Sequence, residues 1–161
     1  MEDILLLKPN DIATYTAISG NLDLDRITPY IRLAQRTELK RILGLDLYNK
    51  VVEDFKNDAL TDKYLELYTN FVKDILINYA SYYVIIFNSI RTDNKGNFLY
   101  SPENAEPADF DDVEKIAVRY QKIGAAMELE FNKWLCSNKL PERLDSGGCC
   151  GASNFKLNWV L

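Results

Sequence analysis

The stretch TDKYLELYTNFVKDILINYASYYVIIFNSI, residues 61–90, decides the fold because it carries a long stripe of apolar side chains. Its apolar residues recur at alternating steps of three and four, which is the period of one helix face. We therefore predict a single helix from Thr61 to Ile90. The inward residues that this period assigns are Leu65, Tyr68, Val72, Ile75, Tyr79, Tyr82 and Ile86, and the stripe is widened by Tyr64, Phe71, Leu76 and Tyr83.

A second long helix with the same rhythm is predicted from Asp109 to Ser137. Its acidic beginning suits the positive end of a helix dipole. Gly124 lies on its apolar stripe, where a glycine permits a close helix crossing. Two matching stripes joined by a loop predict an antiparallel helix pair. The inward positions of this helix are Val113, Ala117, Tyr120, Gly124, Met127, Phe131 and Trp134.

Shorter helices are predicted before residue 61. Asn10 or Asp11 would cap one that ends near Ile18. Thr28, followed by Pro29 at the first helical position, would start a second that ends at Gly44. Asp46 would cap a third through Phe55. The predicted fold class is all-α: an antiparallel bundle of four or five helices, forming one domain over residues 1–161.

Two segments fall outside the helices: the loop 92–108 and the tail 147–161. The loop holds a turn signal at 93–96 and then an apolar trio, 98–100. The tail follows a glycine-rich hinge and alternates apolar with other residues, which is typical of a β-strand. We predict a small β element made from these two segments. The tail strand would pair within its own chain or with another subunit, unless it is disordered.

The sequence offers no support for catalysis. It contains no histidine, so neither a Ser–His–Asp nor a Cys–His arrangement can form. The acidic cluster 109–114 lacks calcium-loop spacing and is expected to cap a helix. Three cysteines, Cys136, Cys149 and Cys150, are expected to be reduced thiols of a cytosolic protein. We predict no enzyme activity and no catalytic, cofactor or metal site.

Charge and hydropathy restrict the partners. The net charge of −5 argues against a protein that coats nucleic acid through its general field. The most apolar stretch, 75–90, is too short and too polar for a membrane span, and Met1-Glu2-Asp3 shows no secretory signal. One basic stripe stands out, because Arg32, Arg36 and Lys40 recur every four residues. It would lie opposite the inward Ile31 and Ala34, which with Leu39 and Ile42 form that helix's apolar face, and would contact phosphates or an acidic subunit unless it is a solvated face.

The segments 5–12, 28–35 and 43–48 resemble tailed-bacteriophage head–tail connector proteins, particularly those of Bacteroidetes-infecting and crAss-like phages. The loop 94–96, the Ser- and Pro-containing stretch before the last helix, and Trp134-Leu135-Cys136 are similar too. The resemblance implies a helical adaptor that forms a dodecameric ring, joins the portal protein to the tail and surrounds the DNA exit channel. The tail 147–161 does not map onto this family.

The resulting hypothesis is a structural virion protein, assembled in the bacterial host cytoplasm, whose ring forms with adjacent ring or tail proteins and lets genomic DNA pass without specific binding. Alternatives are a completion or terminator protein of the tail, a small DNA-binding regulator that uses helix 32–41, and a small enzyme with an unrecognised carboxylate site. The predicted interface residues are Phe98, Leu99, Tyr100, Phe155, Leu157, Trp159, Arg32, Arg36 and Lys40.

Overall fold

The computed structural model describes residues 4–18, 24–93, 96–99 and 109–143. Most of this part of the chain is helical, as predicted for an all-α protein. Two π-helical turns join the helices on either side of them, so that five helical runs are described. The elements are α1 (Pro9–Tyr15), α2 (Leu24–Ala34), the π turn Gln35–Leu39, α3 (Lys40–Leu43), α4 (Leu45–Lys56), α5 (Asp62–Leu67), the π turn Tyr68–Val72, α6 (Lys73–Asn88), β1 (Ile90–Asp93), β2 (Gly96–Leu99), α7 (Phe110–Ser137) and a 3₁₀ turn, Pro141–Arg143.

The two longest runs pack side by side in opposite directions. Early in the run 62–88, the ring of Phe71 packs at 5.5 Å from that of Trp134 near the end of α7. Further along, Asn78 Nδ2 lies 3.5 Å from Met127 Sδ, which comes earlier in α7. Increasing residue numbers on one helix therefore meet decreasing numbers on the other, and the pair is antiparallel.

The closest approach of this pair is at Gly124. A Cβ built on Gly124 would lie 2.9 Å from Cε2 of Tyr79, whose side chain is almost fully buried. Real Cβ atoms do not come that close to a ring, so only glycine fits here without displacing the tyrosine. The predicted close crossing at Gly124 is confirmed.

Both π turns coincide with a five-residue step between buried side chains. Ala34 precedes the first π turn and Leu39 ends it, and both are fully buried; Leu67 and Val72 hold the same positions at the second and are also fully buried. An α-helix returns to the same face after three or four residues, whereas a π turn takes about one residue more. Each π turn therefore brings the next apolar residue back to the core.

One inward assignment is wrong for this reason. A uniform α-helical period over 61–90 turns Leu65 inward, but its side chain is 46% exposed, and Leu67 is buried instead. The second run, which comprises α2, the first π turn and α3 (residues 24–43), has the inner face that the sequence predicts. Its four inward residues, Ile31, Ala34, Leu39 and Ile42, are all buried.

The predicted beginnings of the first two helices are also wrong. α1 begins at Pro9, and its N-cap is Lys8, whose backbone N–H donates to Asp11 Oδ2 at 3.2 Å. α1 ends at Tyr15, short of the predicted limit. α2 is already helical at Leu24, so Pro29 lies inside the helix and does not open it. A Thr-Pro pair permits a helix start without requiring one.

Gly44 separates the second run from α4. Its φ of +76° lies in the region that glycine adopts at little cost, and it ends α3 as predicted. The same residue is the N-cap of α4, which begins at Leu45. The predicted cap at Asp46 is therefore wrong. One residue thus separates two helices whose buried apolar side chains belong to the same core.

The chain leaves the helical layer after α6. The predicted helix end at Ile90 is wrong, because α6 ends at Asn88 and the Ser89 hydroxyl donates to the carbonyl of Ile86 at 2.7 Å. An antiparallel hairpin follows, in which β1 pairs with β2. Its register is Ile90↔Leu99, Arg91↔Phe98, Thr92↔Asn97 and Asp93↔Gly96.

The crossing at Gly124 leads to a testable prediction. Gly124→Ala gains roughly 1 kcal/mol of helix propensity, but the added methyl group collides with a buried ring, at a cost of about 1–3 kcal/mol. We expect a net loss in the free energy of unfolding, measured by urea denaturation. In a Tyr79→Leu background the ring is gone, so the same change should be neutral or stabilising. Equal effects of Gly124→Ala in both backgrounds would contradict the crossing.

Candidate functional site

The basic stripe occupies an exposed face of the second run. Arg32, Arg36 and Lys40 are all exposed, while Ile31 and Ala34 on the other side are buried. The π turn 35–39 lies within this stretch, and its wider winding does not carry the three side chains into the core. Three cations on one exposed face can contact an anionic surface, and a neighbouring protein with exposed carboxylates provides one.

Arg41, which follows the stripe in the sequence, forms ion pairs within the chain. Its guanidinium binds both carboxylate oxygens of Glu128 on α7, at 3.0 and 2.9 Å, and also contacts Glu38 Oε2 at 3.2 Å. These hydrogen bonds, with that to Glu128 the largest effect, raise the pKa of Arg41 above its ordinary value. Glu128 does not lie on a solvated face of α7, since its side chain is only 8% exposed.

Tyrosines surround this ion pair. The hydroxyl of Tyr83 donates to Glu38 Oε1 at 3.1 Å, as expected for a tyrosine whose ring packs against the core. Tyr79 is buried beside Glu128 and Arg41, and burial, followed by the charge of Glu128, raises the pKa of Tyr79 to about 12. The cluster is a fixed electrostatic contact between the second run and α7. Its carboxylates already have partners, so it does not offer a general base.

A second polar contact, which sequence reasoning missed, holds the N-terminal segment. The backbone N–H of Leu6 donates to Gln35 Oε1 at 2.9 Å, and its carbonyl accepts from the Tyr68 hydroxyl at 2.8 Å. Gln35 Nε2 donates to the carbonyl of Ile4 and to the Tyr48 hydroxyl. Gln35 and Tyr68 are the first residues of the two π turns. The five-residue step between apolar residues at each turn was the sequence signal that could have pointed to these two positions. Residues 4–7 are thus bound to the helical core, and among the described residues no strand pairs with them.

The chain after α7 is fixed at the opposite end from the hairpin. The carboxylate of Glu142 accepts hydrogen bonds from the Tyr64 hydroxyl at 2.9 and 3.0 Å. Burial and then this contact raise the pKa of Tyr64 to about 12. Arg143 Nη2 donates to the carbonyl of Ile42 at 2.6 Å. Residues 142 and 143 are therefore held beside the beginning of the run 62–88 and the end of α3.

The predicted β element is only partly within the described residues. Phe98 and Leu99 lie on β2, whose described partner is β1 and not the tail. Tyr100, Phe155, Leu157 and Trp159 lie outside the described residues, and so does the proposed pairing of the tail. The hairpin makes its main backbone contacts beyond itself with the end of α6.

An aromatic stack lies at the hairpin end of α6. Phe87, which is 47% exposed, stacks on Tyr30 of α2 with ring centroids 5.8 Å apart and planes 4° apart. Its other neighbour is Tyr83, at 6.2 Å and 16°. The predicted stripe did not include Phe87. The stack fixes α2 to the end of α6 from which the hairpin emerges, and it leaves part of an apolar ring exposed there.

The acidic cluster 109–114 has an ordinary structural role at the beginning of α7. Asp109 takes the N-cap position of α7, and Asp112 pairs with Lys115 at 2.8 Å. Within the described ranges there is no group of three or more residues that could hold a metal ion. Nor does any helix in that part of the chain have the length and hydropathy to cross a membrane. Cys136 is half-buried and forms no disulfide in the part of the chain that is described, while Cys149 and Cys150 lie outside the described residues.

The buried ion pair can be tested by stability. Arg41→Met should lower the free energy of unfolding by roughly 2–3 kcal/mol, because Glu128 is left buried without its cation, although the arginine itself is half exposed. The double variant Arg41→Met/Glu128→Leu removes both charges and should regain most of that loss. Urea denaturation of the four proteins forms a double-mutant cycle. Additive losses would show that the two side chains are not coupled.

Comparison with known proteins gives a family without an assigned function. No curated protein and no solved structure matches the chain. A family model described as a family of unknown function, DUF6712, matches residues 39–153. The match covers the second run from its π turn onward, the whole of 62–88, the hairpin and α7, which is well over half of the sequence. The chain therefore belongs to the DUF6712 family.

Proposed function

We propose that this protein is a structural virion component, a head-to-tail connector without enzyme activity. In this proposal the whole chain is one helical-bundle domain whose loop 92–108 and tail 147–161 serve as assembly extensions and contribute a small β element. Copies form a dodecameric ring between the portal protein and the tail, around the channel through which DNA leaves. The ring belongs to the virion and assembles in the cytoplasm of the bacterial host.

One observation carries the proposal: the helices bury their apolar faces against each other, whereas charged and hydrogen-bonding groups are presented at the surface and at the ends. The long runs 62–88 and α7 are closely packed at Tyr79 and Gly124. The basic stripe is exposed on the second run, and the hairpin projects from α6. This arrangement favours a protein that works by making interfaces rather than by enclosing a substrate.

Charge supports contact between copies. The chain carries a net charge of −5, so most of its surface repels a second copy at low salt. The basic stripe is the exception, and exposed carboxylates such as Asp46, Glu53 and Asp58 supply the opposite charge. A stripe on one copy facing carboxylates on the next would orient the contact. The acidic balance also suits a channel that releases DNA, because neutralising phosphates is what holds DNA tightly.

The test of the function is assembly with a portal. Purified full-length protein is mixed with the portal protein encoded in the same genome and imaged by electron microscopy. We expect rings seated on the portal and sharing its axis. Failure of the protein to bind the portal and its neighbouring tail proteins, together with specific binding to duplex DNA in a gel-shift titration, would favour a regulator instead.

Charge reversal tests the stripe. Arg32→Glu, Arg36→Glu and Lys40→Glu together should abolish ring formation on the portal, because the stripe would then repel the carboxylates of the next copy. Wild-type assembly should also weaken between about 0.1 and 1 M salt, as the Debye length falls from roughly 10 to 3 Å.

The matched control reverses three other exposed cations, Lys63, Lys122 and Lys133. It changes the net charge by the same amount, so any loss caused by general repulsion would appear in both variants. Normal assembly of the stripe variant, or equal loss in both, would remove the stripe from the interface.

A further inference from the structure

Among the described residues, no further strand pairs with either outer edge of the hairpin. In a hairpin with a two-residue connection, the closing pair Asp93–Gly96 is hydrogen-bonded, and pairs then alternate along the strands. The next pair, Thr92–Asn97, therefore points its N–H and carbonyl groups away from the partner strand. Among the described residues, neither β1 nor β2 has a second strand neighbour. A two-stranded hairpin alone is marginal in water, so a third strand would stabilise it.

A strand-like segment is available at the end of the sequence. Residues 154–161 read NFKLNWVL, in which Phe155, Leu157, Trp159 and Leu161 alternate with the others. The segment has no proline and can donate and accept hydrogen bonds along its whole length. Each described hairpin strand has four residues, and the segment has eight. It can therefore pair along a whole strand in more than one register.

Arg143, the last described residue before the tail, lies far from the hairpin of its own chain. Residue 143 is held beside Tyr64 through its neighbour Glu142, and the hairpin begins after Asn88. The 24 residues from Tyr64 to Asn88 span about 36 Å at 1.5 Å per residue. Residue 143 and the beginning of the hairpin are thus separated by nearly the full length of the long helix.

The connecting chain is barely long enough. Phe155 is twelve residues beyond Arg143, and twelve residues reach at most roughly 40–43 Å when fully extended. A glycine-containing chain of that length has a root-mean-square end-to-end distance of roughly 17–21 Å. Pairing within one chain would therefore need an almost fully stretched connection along the molecule. A hairpin brought close to the beginning of the run 62–88 by another copy is reached without stretching.

We infer that residues 154–161 of one copy add as a third strand to the β1–β2 hairpin of a neighbouring copy. The inference rests on the proposed function only in requiring that copies of this chain associate. The accepting hairpin and residue 143, the last described residue before the donor segment, lie at opposite ends of the long helix, so the contact is head-to-tail. Such heterologous contacts close into rings when the rotation between copies permits. It also requires that the long helix be inclined toward the ring's circumference, so that one copy's hairpin meets the next copy's tail.

Two full-length variants test the exchange. The hairpin-proline variant, Thr92→Pro/Asn97→Pro, removes one outward N–H from each edge and leaves the internal hydrogen bonds of the hairpin in place. The tail-proline variant, Leu157→Pro/Asn158→Pro, removes adjacent donors that face both sides of the tail strand. The matched controls Thr92→Ala/Asn97→Ala and Leu157→Ala/Asn158→Ala keep every N–H. Masses are measured by size-exclusion chromatography with light scattering, and helix content by circular dichroism.

The wild type and both alanine controls should form oligomers at concentrations where each proline variant is a monomer. A mixture of the two proline variants should give dimers and nothing larger, because the mixture supports one tail–hairpin contact and then stops. A monomeric wild type at its highest soluble concentration, oligomers that persist in both proline variants, or a mixture that stays monomeric would overturn the inference.

The outcomes also separate this inference from the proposed function. If the proline variants still form rings on the portal, the strand exchange is wrong and the connector proposal stands. If the mixture gives dimers but the wild type never binds a portal, the exchange is right and the connector proposal is wrong.

Discussion

The close packing of α6 against α7 at Gly124 and Tyr79 is the constraint on which the rest of the structure depends. A missing side chain on one helix accommodates a ring on the other, so the two backbones approach closely while the apolar stripes stay buried. The ion pair between Arg41 and the buried Glu128 then fixes the second run to the same face of α7. Because a carboxylate in that position is stabilised only with its cation beside it, the ion pair selects one placement of the second run.

The N-terminal segment and the residues after α7 are both bound to that core. The N-terminal segment is held by Gln35 and Tyr68, and the chain after α7 is held by Tyr64 and Ile42. Each contact joins a side chain to a backbone group, except the one between the Tyr64 hydroxyl and the Glu142 carboxylate. One partner in each contact lies in a helical run, whose packing fixes its position. They decide where each end of the chain leaves the helical core. The hairpin and residue 143 consequently lie at opposite ends of the long helix, which is the geometric basis for the proposed head-to-tail contact.

Sequence periodicity predicted the helical class, the extent of α7 and the role of Gly124, because each depends on a local pattern of apolar residues. It misplaced Leu65, since a constant α-helical period takes no account of a π turn, although the five-residue steps Ala34–Leu39 and Leu67–Val72 were visible in the sequence. The burial of Glu128 could not be predicted because its partner is 87 residues away. The interface hypotheses concern other molecules, and a single chain's periodicity carries no record of them.

The central claim is that the helices complete their core within one chain, and that association uses the hairpin edges and the surface. Hydrogen–deuterium exchange, compared between free and assembled protein, tests it most directly. The α6 amides around Tyr79 should exchange slowly and equally in both states, whereas the Thr92 and Asn97 amides should become protected only on assembly. Protection that increases in the middle of α6 while the hairpin amides stay unchanged would contradict this account.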